Sequence, residues 1–325
     1  MTEVALPTSG GLQLAGLALR PSGLTRAAVA MVHGVGEHAG RYDALHQALT
    51  GGGFAVATAD LRGFGRSPGP RGHIDRWDDF RADVAAIVGL AGSLAPDRPV
   101  FLFGHSMGGL IVLDYALRRP GGLAGVVASG PALVPAGPRR PLLEWTARIL
   151  SVVAPRVGTE LGLDPSGISG DPAVVAHYRA DPLVHDRVTM RWGAEILRVM
   201  AATLADAPRF PLPLLLLHGA DDPINSPVGS QSFHDACGHP DRMLRLYRGS
   251  RHEVHHDAGR AAFERDLLRW LRERAMRLQV PRPREPWCDS RSLRSAARDP
   301  GRTDDPPPPA ARGRGVAGPG SGARA

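Results

Sequence analysis

The chain contains no lysine: all 39 of its Lys and Arg positions are arginine. So complete a bias reflects genome composition, and the formal net charge of +7 is therefore no sign of phosphate recognition. Ten arginines against five acidic residues from Arg277 onward carry +5 of that charge, so the rest of the chain is nearly neutral and nucleic acid is not an expected partner. Cysteine is scarce too. Cys237 and Cys288 are far apart and too few for a disulfide framework, which fits a reducing compartment. No apolar run approaches the ~18 residues that mark a membrane-spanning helix. The opening Met1-Thr2-Glu3-Val4 lacks the basic and then apolar pattern of a secretion signal, so the expected location is cytoplasmic.

Against these absences stands an apolar content of 43%, ample for the core of a 325-residue soluble protein. The most informative stretch is Gly104-His105-Ser106-Met107-Gly108-Gly109. It follows the apolar run Pro99–Phe103, which reads as a buried strand, and precedes Leu110–Leu117, which reads as a helix. A serine between strand and helix, with glycine two positions before and two after, is the pattern of a nucleophile elbow. Such a turn strains the serine backbone and leaves no room for side chains at Gly104 or Gly108. The helix that begins there aims N–H groups and the positive end of its dipole at the serine.

Elsewhere the chain alternates short apolar runs with helical periodicity. Residues 2–20 read as a hairpin around Ser9-Gly10-Gly11. Strands are expected at Ala27–Val32, Phe54–Ala59, Gly125–Ala128, Leu212–Leu217 and Met243–Tyr247. Helices are expected from about Asp78 to Leu94, Val228 to Ala236 and Asp257 to Leu278, with another carrying Leu45 and Leu49. This alternation predicts an α/β fold with a doubly wound, mostly parallel sheet. Between Ser129 and Leu212 the pattern breaks for too many residues to form a loop. Leu142, Trp145, Ile149 and Val153, then Trp192, Ile196, Val199 and Met200, recur at helical spacing there. The segment reads as a helical cap over the carboxyl edge of the sheet, packed on the core, with an apolar face that also offers transient membrane-surface contact. The expected organisation is a first core part over 1–130, a cap over 131–211, a second core part over 212–278, and a disordered Arg/Pro/Gly-rich tail over 279–325.

A serine hydroxyl needs a base to become a nucleophile, and the base needs a carboxylate to orient it. In the chain order of this fold both follow the serine at strand ends. His252 is the expected base and Asp222 the expected acid, with Asp221 as its rival; Pro223 favours Asp222 by pushing it into an extended conformation. The oxyanion needs two backbone donors, expected at Met107 and at Val35 within His33-Gly34-Val35-Gly36. His252-Glu253-Val254-His255-His256 also satisfies the HExxH pattern of zinc proteases. That pattern needs one helix through both histidines, whereas Gly249 and Ser250 put His252 in a turn, and position 262 is Ala262 where the longer motif needs a third histidine. No metal and no cofactor is expected.

Taken together, His33 to Tyr42, Asp60 to Ser67, Gly104 to Gly109, His218 to Asp222 and Tyr247 to His252 resemble the monoacylglycerol lipases, within the lysophospholipase-like branch of the α/β-hydrolases. Asp181 to Val184 and Arg191 to Glu195 share the likeness, which runs from about residue 2 to 278. The resemblance implies an α/β-hydrolase fold with an inserted cap and a serine carboxylester hydrolase acting on a small lipid ester through an acyl-enzyme. It implies Ser106 as nucleophile, Asp222 and His252 as its partners, and Val35 and Met107 as the oxyanion hole. It further implies that Glu37, Arg41 and His255 lie near the alcohol end of the substrate. Glu37 and Arg41, four apart at a helix start, have a plainer alternative in pairing with each other. A lysophospholipase, or another ester or thioester hydrolase with the same triad, is the alternative within the class, and a silent ligand-binding scaffold the alternative outside it. An epoxide hydrolase or dehalogenase is disfavoured because an acidic nucleophile would stand where Ser106 does.

Overall fold

Small apolar residues in unbroken runs build the centre of the molecule, in a computed structural model that describes residues 1–137 and 149–279. The strands are β1 (Thr2–Pro7), β2 (Gln13–Leu19), β3 (Ala27–Val32), β4 (Phe54–Ala59), β5 (Val100–His105), β6 (Leu123–Ser129), β7 (Gly158–Glu160), β8 (Arg187–Thr189), β9 (Leu214–Gly219) and β10 (Arg242–Tyr247). Eight of them form one sheet in the order β1-β2-β4-β3-β5-β6-β9-β10. The β1-β2 and β2-β4 pairs are antiparallel and every other neighbour in that sheet is parallel. Strands β3, β4 and β5 are buried at every position, as expected for a sheet covered on both faces.

The helices are α1 (Asp43–Gly51), α2 (Asp78–Leu94), α3 (Met107–Arg118), α4 (Pro172–Ala180), α5 (Met190–Ala205), α6 (Pro227–Ala236) and α7 (Arg260–Gln279). Strand β3 shows how they divide the core. Its Ala28, Ala30 and Val32 pack with residues of α2 and α3, while Ala27, Val29 and Met31 pack with residues of α1 and α7 on the other face. The alternation follows from the two-residue period of a strand. Parallel strands all end at the same edge, so the loops after β3, β5, β9 and β10 converge there.

The segment between β6 and β9 carries α4, α5 and a two-stranded sheet of β7 and β8. Trp192, Ile196, Val199 and Met200 of α5 are buried as their spacing predicts, and α5 packs beside α3. The residues ahead of α4 and α5 depart from expectation. Leu142 and Trp145 lie outside the described residues, and Ile149 and Val153, expected to face inward, are exposed. Ser151 is buried and Leu150 and Ala154 are half-buried, so the inward face there is turned away from Ile149 and Val153. The β7-β8 pair, too short to leave a periodic signal, was not expected. Helix α7 starts at Arg260 rather than near Asp257, because Val254–His256 forms a separate 3-10 turn and the Asp257 carboxylate accepts Arg251 N–H and Gly170 N–H. The 280–325 tail lies outside the described residues. Among those residues no helix is long and apolar enough to cross a membrane.

Candidate active site

Ser106 sits at the end of β5 with φ 55° and ψ −119°, one of two non-glycine residues of positive φ among those described. Holding that conformation costs about 1–3 kcal/mol and requires the surroundings to enforce it. They do: a side chain at Gly104 would run into Gly108 O, and one at Gly108 into Val32 O and His33 O. The bend therefore closes only with glycine at both positions. Ser106 immediately precedes Met107, the first residue of α3, and makes no side-chain cap of that helix. Its N–H donates to Ser129 O at 2.9 Å.

His252 approaches the next residue along, Gly130. A Cβ at Gly130 would stand 3.4 Å from both Cε1 and Nδ1 of His252. Thus Ser106 and His252, 146 positions apart in the numbering, lie against adjacent residues, Ser129 and Gly130, at the carboxyl end of β6. His252 Nδ1–H donates to Asp222 Oδ2 at 2.7 Å, which turns Nε2 away from the carboxylate. Asp222 is itself held: Oδ1 accepts Ile224 N–H at 2.8 Å and Asn225 N–H at 3.0 Å, and His218 Nε2 lies 3.1 Å from Oδ2. Burial would push the Asp222 carboxyl up, but His252 and His218 outweigh it and hold the group well below the usual carboxylate range. Burial likewise opposes a charge on His252, yet Asp222, with smaller help from Glu253 and Glu37, leaves its pKa raised. Asp221 is exposed and spends a carboxylate oxygen on Gly249 N–H, so geometry separates the two candidate acids.

The loop after β3 is shaped by buried polar bonds. His33 Nδ1–H donates to Gly34 O at 2.7 Å and its Nε2 accepts Leu61 N–H at 2.8 Å. Glu37 Oε1 accepts Gly34 N–H and the Tyr42 hydroxyl, each at 2.6 Å. Among the described residues no hydrogen bond occupies the N–H of Val35 or of Met107, so both backbone donors expected to meet an oxyanion are unspent. The space between is narrow: a Cβ on Gly34 would stand 3.1 Å from Ser106 Cβ. The β6-β9 segment seals the far side of this loop, with His185 N–H donating to Gly36 O at 2.9 Å and His38 Nε2–H to Asp181 Oδ2 at 2.8 Å.

Glu37, Arg41 and His255 are brought together around Tyr42. Arg41 donates to Glu37 at 2.6 Å, Tyr42 to Glu37, and the His255 ring stacks on Tyr42 with centroids 5.1 Å apart. The pairing of Glu37 with Arg41 is therefore present, and Glu253 joins it as a third member that sequence reasoning did not find. Both ring nitrogens of His255 are buried without a partner, and burial followed by the nearby His256 and His105 holds its pKa well below the ordinary histidine value. His105 packs on His252 with ring centroids 4.7 Å apart and is held near a pKa of about 4 by burial and then by His252. His218 and Asn225 were also missed as supports. The signal lay in their places beside Asp222, in His218 to Asp222 and just after it.

The HExxH match does not form a zinc-protease helix, since Val254–His256 is a 3-10 turn and His252 precedes it. Glu253, His255 and His256 do bring ligand atoms within 4.8 Å of one another, but Glu253 there is already bound by Arg41.

A model of the family described as serine aminopeptidase, S33, matches residues 23–259. The chain belongs to that family of α/β-hydrolases, on its monoacylglycerol-lipase-like branch. It is 35% identical over 263 residues to a monoacylglycerol lipase of Mycolicibacterium smegmatis, covering 81% of this chain and 94% of the relative. Its identity to a monoglyceride lipase of Mus musculus is 35% over 242 residues, covering 73% and 79%. In three dimensions it matches the crystal structure of a monoacylglycerol lipase of Paleococcus ferrophilus with a TM-score of 0.75, at 35% identity, covering 80% of this chain and 99% of that one. It also matches a soluble variant of the Saccharomyces cerevisiae monoglyceride lipase, solved with a substrate analog, with a TM-score of 0.75 and 27% identity over 84% of this chain and 96% of that one.

Proposed function

We propose that the chain is a cytoplasmic serine carboxylester hydrolase that releases a fatty acid from monoacylglycerol. The observation that carries this reading is the strained Ser106 at the head of α3, directly after His105, whose ring packs on an imidazole oriented by a buried carboxylate. Ser106 Oγ attacks the ester carbonyl as its proton passes to His252 Nε2. The N–H groups of Val35 and Met107 take up the oxyanion, and Asp222 stabilises the imidazolium. His252 then gives the proton to the departing glycerol oxygen and leaves an acyl-enzyme. Water, deprotonated by His252, attacks the acyl carbon; the acid leaves and Ser106 recovers its proton.

The names of the relatives support a glycerol ester as substrate. Exposed Ile149, Val152, Val153 and Val157 support a transient meeting with a lipid surface. Ser106→Ala is the test. It should abolish turnover of monoacylglycerol and labelling by a fluorophosphonate while the melting temperature stays near that of the parent. Retained turnover would refute the assignment, and preferential cleavage of lysophosphatidylcholine over monoacylglycerol would overturn the choice of substrate.

A further inference from the structure

Glu253 gave the sequence its misleading zinc pattern, and the triad leaves it without a role. In the fold its two carboxylate oxygens accept both terminal nitrogens of Arg41, at 2.7 and 2.9 Å, across 212 positions of sequence. Arg41 Nη1 also donates to Glu37 Oε2 at 2.6 Å, and Glu37 Oε1 in turn accepts Gly34 N–H at 2.6 Å. A continuous chain of bonds therefore runs from the backbone of the loop after β3 to the residue covalently next to His252. It is buried throughout: the side chains of Arg41, Glu37 and Glu253 are 8%, 5% and 3% exposed. The Arg41 guanidinium also lies 4.6 Å from the centre of the Tyr178 ring, on α4.

A buried ion pair is a poor way to gain stability, because desolvation offsets most of the attraction. It is a good way to hold two loops in one register, since each partner left alone would be a buried unpaired charge. We propose that Arg41 is a positioning residue which, through Glu37 and Glu253, locks the oxyanion loop and the histidine loop at a fixed separation. The proposal deepens the serine-hydrolase reading and rests on it. The two loops come from opposite ends of the chain, and the carbonyl oxygen and the proton must meet them at once. A displacement of about 1 Å between such groups can cost on the order of 10²-fold in rate.

The charge balance supports the geometry. Burial would push Glu253 up, but Arg41 and then His256 hold it well below the carboxylate range, while Arg41 is raised by both glutamates against its own burial. Two carboxylates thus face one guanidinium, and one negative charge is left over beside the ring that must become an imidazolium. Asp222, from the loop after β9, pairs with His252 and is approached by His218 of β9; His105 of β5 packs on the ring, and His255 and His256 follow it in its own loop. Of these, His105 and His255 are driven toward the neutral form, so they do not cancel the excess.

The experiment compares Glu253→Gln, Arg41→Lys and the double variant Arg41→Met with Glu253→Met in the full chain. Hydrolysis of a soluble p-nitrophenyl ester is measured from acid to alkaline pH, with rates taken per folded active site by fluorophosphonate titration and melting temperatures alongside. Glu253→Gln keeps the shape and should lower kcat by about 10²-fold with little change in KM. Its acid limb should move to lower pH, because a group that raises the His252 pKa has lost its charge. Arg41→Lys should fall between parent and Glu253→Gln. The double variant removes two of the three charges but leaves Glu37 buried without its cation, so it should recover neither the melting temperature nor kcat. Parental kcat in Glu253→Gln or in the double variant would overturn the proposal. So would failure of Glu253→Gln to fold, which would make the carboxylate a support of the fold at large. A parent protein that neither cleaves esters nor labels at Ser106 would instead sink the hydrolase reading, and this proposal with it.

Discussion

Asp222 Oδ2 accepts the Nδ1 proton of His252 at 2.7 Å, and the other oxygen of the same carboxylate is fixed by two backbone N–H groups. The carboxylate therefore selects both the tautomer and the tilt of the imidazole. In Asp222→Asn the amide oxygen can still serve Ile224 and Asn225, which leaves the NH₂ facing Nδ1. The ring must then carry its proton on Nε2, where a base needs a lone pair. We expect kcat to fall by about 10⁴-fold, as in the analogous change in a serine protease. Asp221→Asn should change it by less than ~2-fold, since that side chain is exposed and accepts the N–H of Gly249 rather than holding His252. Esterase kinetics on the two variants separate the acids; equal loss in both would mean that the pairing is not what matters.

The same contact sets a pH dependence. His252 must be neutral to accept a proton, and its pKa is raised above the ordinary 6.5. Thus kcat/KM should rise with pH through a midpoint above 6.5, and Asp222→Asn should bring that midpoint down. The stability that the pair contributes has the opposite sign: it is full below 6.5 and fades as pH rises through the folded-state pKa. A pH profile of kcat/KM together with thermal melts across the same range checks both. An acid limb below 6.5 in the parent would contradict the assignment of the base.

Much of this arrangement was legible because it is local. Unbroken apolar runs mark β3, β4 and β5, glycines two before and two after Ser106 mark the bend, and Asp222 and His252 lie just past strand ends. What was not legible is long-range or short in extent. Glu253 looks like part of a metal motif until Arg41, 212 positions away, is brought against it. The β7-β8 pair spans three residues on each side, too few for an alternating pattern to show. At Ile149 and Val153 an apolar period was present but its inward face was misassigned, because spacing fixes a helical stripe without saying what it meets.

That distinction predicts how the segment between β6 and β9 behaves. Trp192 is 4% exposed and shares a cluster with Leu110, Ile111 and Leu113 of α3, so α5 should melt with the sheet rather than separately. Trp192→Ala should cost about 3–5 kcal/mol in chemical unfolding, within a single transition. Val153→Ser, at a side chain 72% exposed, should stay within ~0.5 kcal/mol. A Trp192→Ala variant with parental stability, or with a separate early transition, would show that α5 is not part of the core.

Gly34 offers the most direct probe of the oxyanion loop, because one backbone bond and two close approaches meet there. Its N–H donates to Glu37 Oε1, and a Cβ there would stand 2.7 Å from that same oxygen and 3.1 Å from Ser106 Cβ. The first distance is too short for a real contact, so Gly34→Ala must displace either the carboxylate or the serine. Displacing Glu37 frees the loop whose Val35 N–H is to meet the oxyanion; displacing Ser106 moves the nucleophile. Both act in the transition state rather than on bound substrate. We expect kcat to drop with KM nearly unchanged, by up to the ~3 kcal/mol that one lost oxyanion donor costs in the type example. Gly23→Ala is the matched control, since nothing lies within 4 Å of a Cβ at that position. If Gly34→Ala turned over as fast as Gly23→Ala, the loop after β3 would have slack to spare, and its bonds to Glu37 would not be what sets the oxyanion site.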